Sequence, residues 1–179
     1  LAAHQVMCTI STLCFQIVYG IGAAASVMIS HFRGASDWGN VRRTSTTAFF
    51  LSLGIVGMMI VMIYVSRMPL MHIFTNNDEV ITAALALLPC FFLYQFGDTM
   101  QIVFANALRG MEQVKRMMLY AFIAYMMVSI PMSYFFAFIL KWGTVGVWMG
   151  MPFGLTTAGV LFYYDYRKGL AKAEVTALH

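Results

Sequence analysis

Charge is scarce in this sequence: Asp, Glu, Lys and Arg together make up 10% of 179 residues, against roughly 25% in an ordinary water-facing domain. With 61% of positions hydrophobic, there is too little polar surface to wrap a soluble core, and lipid is the solvent that fits. Long basic tracts are missing as well, which excludes a nucleic-acid-binding surface. The net charge of +4 is scattered over short intervals, where its sign and place report orientation instead. Three cysteines, Cys8, Cys14 and Cys90, fall inside apolar runs and read as small hydrophobes, not as a disulfide framework. No cluster of metal ligands, nucleophile beside a base, pair of acids or phosphate loop occurs, so an enzyme is not expected. "GIGAAAS" at Gly20 to Ser26 lacks the Lys of a phosphate loop and reads as close helix packing. The opening "LAAHQVMC" has no initiator Met and no signal-peptide pattern, and is read as part of a longer chain.

What is present in quantity is apolar length. A spanning helix needs about 20 mainly apolar residues. The charges divide the chain into five such runs, 2–32, 44–66, 80–108, 117–140 and 145–164, within a transmembrane bundle of residues 1–168 followed by a tail of 169–179. The fold class expected is therefore an all-α integral membrane protein with five transmembrane helices. Arg33, Arg42 and Arg43 follow the first run, Arg109, Lys115 and Arg116 the third, and Arg167, Lys168 and Lys172 the fifth, whereas the other two loops carry only Arg67 and Lys141. Under the positive-inside rule the N-terminal end lies outside and the C-terminal end in the cytoplasm. "LFYYDYRK" then reads as an aromatic belt with a basic anchor, and Asp165 as an interfacial charge.

Pro89, Pro131 and Pro152 lie well inside the runs, where each removes an amide donor and favours a kink around a cavity. Gly146, Gly150, Gly154 and Ala158 recur every four residues, a stripe of small groups that lets another helix approach closely.

Into the third run, "PCFFLYQFGDTMQIVF" places a single carboxylate, Asp98. Counted back from Arg109 at 1.5 Å per residue, it lies about 16 Å from the basic end, near the middle of a core roughly 30 Å thick. Exposure to lipid there costs about 2.5 to 3.5 kcal/mol, so the side chain is expected to face inward. Tyr94 lies one turn before it and Gln101 nearly one turn after, with Gln95 on the border of the same face. Such oxygen donors suit a hard cation such as sodium, while a carboxyl group away from water can equally carry a proton. The bland reading is a hydrogen bond between helices, worth about 0.6 kcal/mol on average in one membrane protein. A second polar stripe, His4, Thr12, Gln16 and Tyr19, lies on the first run; it is read chiefly as interhelical bonding, with Gln16 a candidate for the cavity wall.

Five pieces of the sequence resemble one family in order. "AAHQ" at Ala2 to Gln5 and "SVMISHFRGASDWGNVRRT" at Ser26 to Thr44 are similar to a span and cytoplasmic loop of multidrug and toxic compound extrusion transporters. "NALRG" at Asn106 to Gly110, "IPMSYFFAF" at Ile130 to Phe138 and "WGTVGVWMGMPFGL" at Trp142 to Leu155 are similar to the last three spans of that family. The resemblance implies spans eight to twelve of a twelve-span transporter, most of its second six-helix bundle, with the preceding seven spans as the missing partner. It implies a cation-coupled antiporter that exports organic cations or drugs by alternating access, with no cofactor beyond sodium or a proton as coupling ion. Asp98 and Tyr94 match the acid and phenol with which the sodium-coupled branch binds its cation. The family usually continues "LRG" with Gly-Asp where this chain has Met111, Glu112 and Gln113, and its second carboxylate would lie before Leu1. Alone, these 179 residues are expected to transport nothing. A lipid-linked oligosaccharide flippase of the same superfamily, expected to carry basic residues in its cavity, is the nearest alternative; a channel or structural membrane subunit is another.

Overall fold

A computed structural model describes residues 2–74 and 78–177 of the chain. It is an all-α membrane bundle. The elements are α1 (Ala2–Gly34), α2 (Trp38–Val65), α3 (Arg67–Phe74), α4 (Asp78–Gly110), α5 (Val114–Ile139) and α6 (Gly143–Ala177). Five of the six are long, one at the place of each apolar run. Among the described residues the segments Cys8–Gly34, Trp38–Val65, Val114–Ile139 and Val145–Thr176 are long and apolar enough to cross a membrane. The fifth long helix, α4, has 33 residues, as many as α1, and stands at the centre, packed chiefly against α1 and α6 and also against α2. α3 is a separate helix of eight residues, and α6 continues to Ala177, beyond Tyr164.

Two connections at the basic end are built alike. After "FRG" at Phe32 to Gly34 and after "LRG" at Leu108 to Gly110, the second following residue adopts a left-handed backbone, with φ 56° at Ser36 and 58° at Glu112. The amide of Asp37 then donates to the Phe32 carbonyl and that of Gln113 to the Leu108 carbonyl, both at 2.9 Å, so each closes the last turn of its helix. Asp37 goes on to cap α2, its carboxylate accepting from the Asn40 amide at 3.0 Å and from the Asn40 side chain at 2.7 Å. An ion pair of 2.9 Å between Arg33 and Glu112 links the two turns.

The small-residue stripe of α6 meets α5. A methyl group on Gly146, Gly150 or Gly154 would collide with the backbone or side chains at Phe136, Ser133 and Ser129 respectively. The two helices thus approach backbone to backbone, as such stripes allow. α5 is not uniformly wound: Ile123–Ser129 and Phe135–Ile139 form wider, π-type turns, in which the Ile130 amide donates to the Tyr125 carbonyl and the Leu140 amide to the Phe135 carbonyl. Pro131 lies between them without an amide to give, and the ladder shifts by one residue around it.

Apolar packing is split along α4. Ile81, Leu88, Cys90 and Phe91 join Ile10, Cys14, Ile63 and Trp148 in one buried cluster, while the apolar residues between Ile102 and Leu108 join Val18, Ile29, Val41, Phe162 and others in two more. The residues of α4 between those sections include buried Gln95, Asp98 and Thr99. A polar layer therefore interrupts the apolar core near the middle of the central helix.

Candidate functional site

Asp98 is 6% exposed, and no ion pair joins it to a basic side chain among the described residues. Beside it, Gly97 lets α4 approach α6 closely: a methyl group there would crowd Thr156 and Leu155. Near the carboxylate stand hydroxyl and amide groups of α4 and α5 and a thiol of α1. Tyr94 lies one turn before it on α4, near enough to feel its charge, and Ser11 of α1 lies close enough to the Tyr94 hydroxyl to act on it electrostatically. The Tyr94 ring also meets Trp148 of α6 edge to face, with centroids 6.1 Å apart. Cys14, one turn beyond Ser11 in α1, feels the same charge.

α5 brings Tyr125, which feels the charges of both Asp98 and Tyr94 and lies close enough to Gln101 for that side chain to act on its hydroxyl. Gln95 is 2% exposed, and its Oε1 has no hydrogen-bond partner among the described residues, a spare acceptor close to the acid along α4. Thr99 is already occupied, donating to the Gln95 carbonyl at 2.7 Å.

Asp98, Tyr94 and Gln101 lie along α4 at the spacing the sequence gives them, with Gln95 buried at their border. Gln16 is not brought to them: it is exposed on α1, two residues along from Cys14 and so on a different face. Thr12 and Tyr19 of the same stripe are exposed too, Thr12 donating to its own helix at the Cys8 carbonyl at 2.9 Å, and the His4 side chain lies outside the described residues. Tyr125, Ser11 and Cys14 were not anticipated. A usable signal for Tyr125 was a phenol six residues ahead of Pro131, within the reach of a proline-disturbed helical ladder.

Chemically, the donors around Asp98 are a carboxylate, two phenols and two amides. Every one of them offers oxygen, the ligand type of hard cations, and the described residues contain no cluster of three or more His, Cys, Asp or Glu for a transition metal.

Three comparisons with known proteins bear on this geometry. The family model described as MatE matches residues 1–135. The probable multidrug resistance protein NorM of Xanthomonas campestris pv. campestris is 30% identical over 167 residues, which is 93% of this chain and 36% of that protein. That of Bradyrhizobium diazoefficiens is 32% identical over 166 residues, 90% of this chain and again 36% of the relative. A crystal structure of a eukaryotic MATE transporter superposes with a TM-score of 0.86 at 22% identity, covering 96% of this chain and 40% of the other. An inward-facing multidrug resistance MATE family transporter of the MOP superfamily superposes with a TM-score of 0.85 at 14% identity, over 95% and 39%. The chain spans a little over a third of the length of these curated relatives.

Proposed function

Since this chain belongs to the MatE family, we propose that it forms part of a cation-coupled antiporter that exports organic cations or drugs by alternating access. In this reading the remainder of the transporter completes the cavity, and Asp98 with Tyr94 takes the coupling ion, sodium or a proton. The relatives named as multidrug resistance proteins support the export of drugs. The observation that carries the reading is the acid itself: a carboxylate buried at mid-helix, unpaired with any basic side chain among the described residues and ringed by hydroxyl and amide oxygens. A cation arriving there gains Coulomb attraction in a water-poor interior. It shifts the balance of inward and outward arrangements by its difference in affinity for the two. A drug cation that competes for the same cavity would couple to the ion by exchange. Members of the layer come from α1, α4 and α5, so relative movement of those helices changes the shell around the ion.

The test is Asp98→Asn in the intact transporter, reconstituted in vesicles with an imposed sodium or proton gradient. Efflux of a fluorescent organic cation driven by the gradient should fall by about two orders of magnitude, while yield and Tm stay near those of the parent. Gradient-driven efflux at the parent rate would remove Asp98 from the coupling step.

A further inference from the structure

Away from the polar layer, α2, α4 and α6 leave a groove of about 420 Å³ on the flank of the bundle. Its lining is graded along the helix axis. On α2 the order from the basic end is Arg42, then Thr46, then Phe49 and Phe50, a distance of about 12 Å at 1.5 Å per residue. On α6, running the other way, Arg167 lies at the same end and Tyr163 one turn deeper. The Tyr166 hydroxyl donates to the Val41 carbonyl at 3.4 Å, which sets the two helices level at this point. Arg42 and Arg167 both act electrostatically on that hydroxyl, as does Glu174. The floor is aromatic: Phe104 lies 5.5 Å from Phe49 and 4.9 Å from Tyr163 between ring centroids.

Neither arginine pairs with a carboxylate among the described residues, and both are exposed. Arg167 is steered by Tyr163, donating to its hydroxyl at 3.2 Å. Two guanidinium groups at the mouth, above a channel of aromatic faces, form a site with a charged end and an apolar end. Guanidinium forks match phosphate oxygens two at a time. A free phosphate would use only the mouth and a hydrocarbon only the floor. A molecule with a phosphate and an acyl chain uses both, and anionic lipid is the abundant source of that pairing where basic residues collect at a membrane surface.

We propose that the groove between α2, α4 and α6 binds an anionic phospholipid, its phosphate between Arg42 and Arg167 and an acyl chain against Phe49, Phe50 and Phe104. The site is separate from Asp98: none of Asp98, Tyr94 or Gln101 lines it.

The experiment is native mass spectrometry of the whole purified protein with dioleoyl phosphatidylglycerol, dioleoyl phosphatidylcholine or inorganic phosphate. Phosphatidylglycerol should be retained in preference to phosphatidylcholine, and Arg42→Gln with Arg167→Gln should weaken its retention roughly tenfold or more, leaving phosphatidylcholine unchanged. Phe50→Ser, at an exposed position, provides an independent arm: it should weaken phosphatidylglycerol severalfold. Equal retention of the two lipids, or an unaltered affinity in either variant, would overturn the proposal. So would displacement of the lipid by millimolar inorganic phosphate, which would assign the arginines to a free anion.

Discussion

Arg116 and Asp165 stand 3.2 Å apart and tie the first turn of α5 to α6 across the basic end of the bundle. The two partners live in different surroundings: the Asp165 side chain is 1% exposed and that of Arg116 56%. Asp165 Oδ2 has no hydrogen-bond partner among the described residues, so the guanidinium is its carboxylate's one ion-pair contact there. Arg116→Gln should therefore strand a buried charge, at a cost of about 1 to 2 kcal/mol once the exposure of the arginine is allowed for. Asp165→Asn should cost less, because the amide needs no counter-ion, and the double variant should regain most of the loss. Thermal melting of the purified protein checks this; an Arg116→Gln protein that melts with the parent would show the pair to be idle.

The contact between α5 and α6 makes a second prediction by contrast. A Cβ at Gly150 would meet the backbone of Ser133, whereas a Cβ at Gly57 of α2 meets nothing within 4 Å. Gly150→Ala must push the two helices apart and should lower stability by about 1 to 3 kcal/mol. Gly57→Ala adds helix propensity at an open position and should be neutral or slightly stabilising. Equal melting of the two variants would mean that the close approach contributes nothing.

Much of this was legible because membrane helices advertise themselves. The scarcity of charge put each Arg and Lys at the end of a run, and each run overlaps one long helix, although α2 begins before its run and α6 continues to Ala177, past its own. The four-residue stripe of small groups announced its own close contact, since its partner needed only to be another helix. Tyr94 and Gln101 beside Asp98 follow from the 3.6-residue turn of a single helix. What stayed hidden depends on how helices are rotated against each other. Cys14 and Tyr125 come within reach of the acid's charge from α1 and α5, and Ser11 of α1 comes close to Tyr94; no spacing within one helix states their phase. Asp165 shows the same gap: its place near the basic end could be read as interfacial, but its burial against α5 could not. Gln16 was grouped with the cavity on polarity, and the turn from Cys14 carries it to an exposed face.

Tyr125 is where the fold and the proposed chemistry meet most directly. It lies in the wide turns of α5 that precede Pro131, and its own carbonyl accepts the Ile130 amide five residues on. Its hydroxyl lies near enough to Gln101 and Asp98 to be acted on by both, so it either completes a cation shell or merely anchors α5 to α4. Tyr125→Phe separates these roles, because it keeps the ring and removes one hydrogen-bonding group worth about 1 kcal/mol. As part of the shell, its loss should raise the ion concentration for half-maximal efflux about three- to tenfold while the Tm moves little. As an anchor alone, it should lower the Tm and leave that concentration unchanged. Pro131→Ala gives a second handle on the same residue: with an amide restored at position 131, α5 can return to i→i−4 bonding and rotate the Tyr125 segment relative to Asp98. It should then reproduce the altered ion dependence with every cation-shell side chain intact, and an unchanged ion dependence would show that the wide turns do not set the position of the phenol.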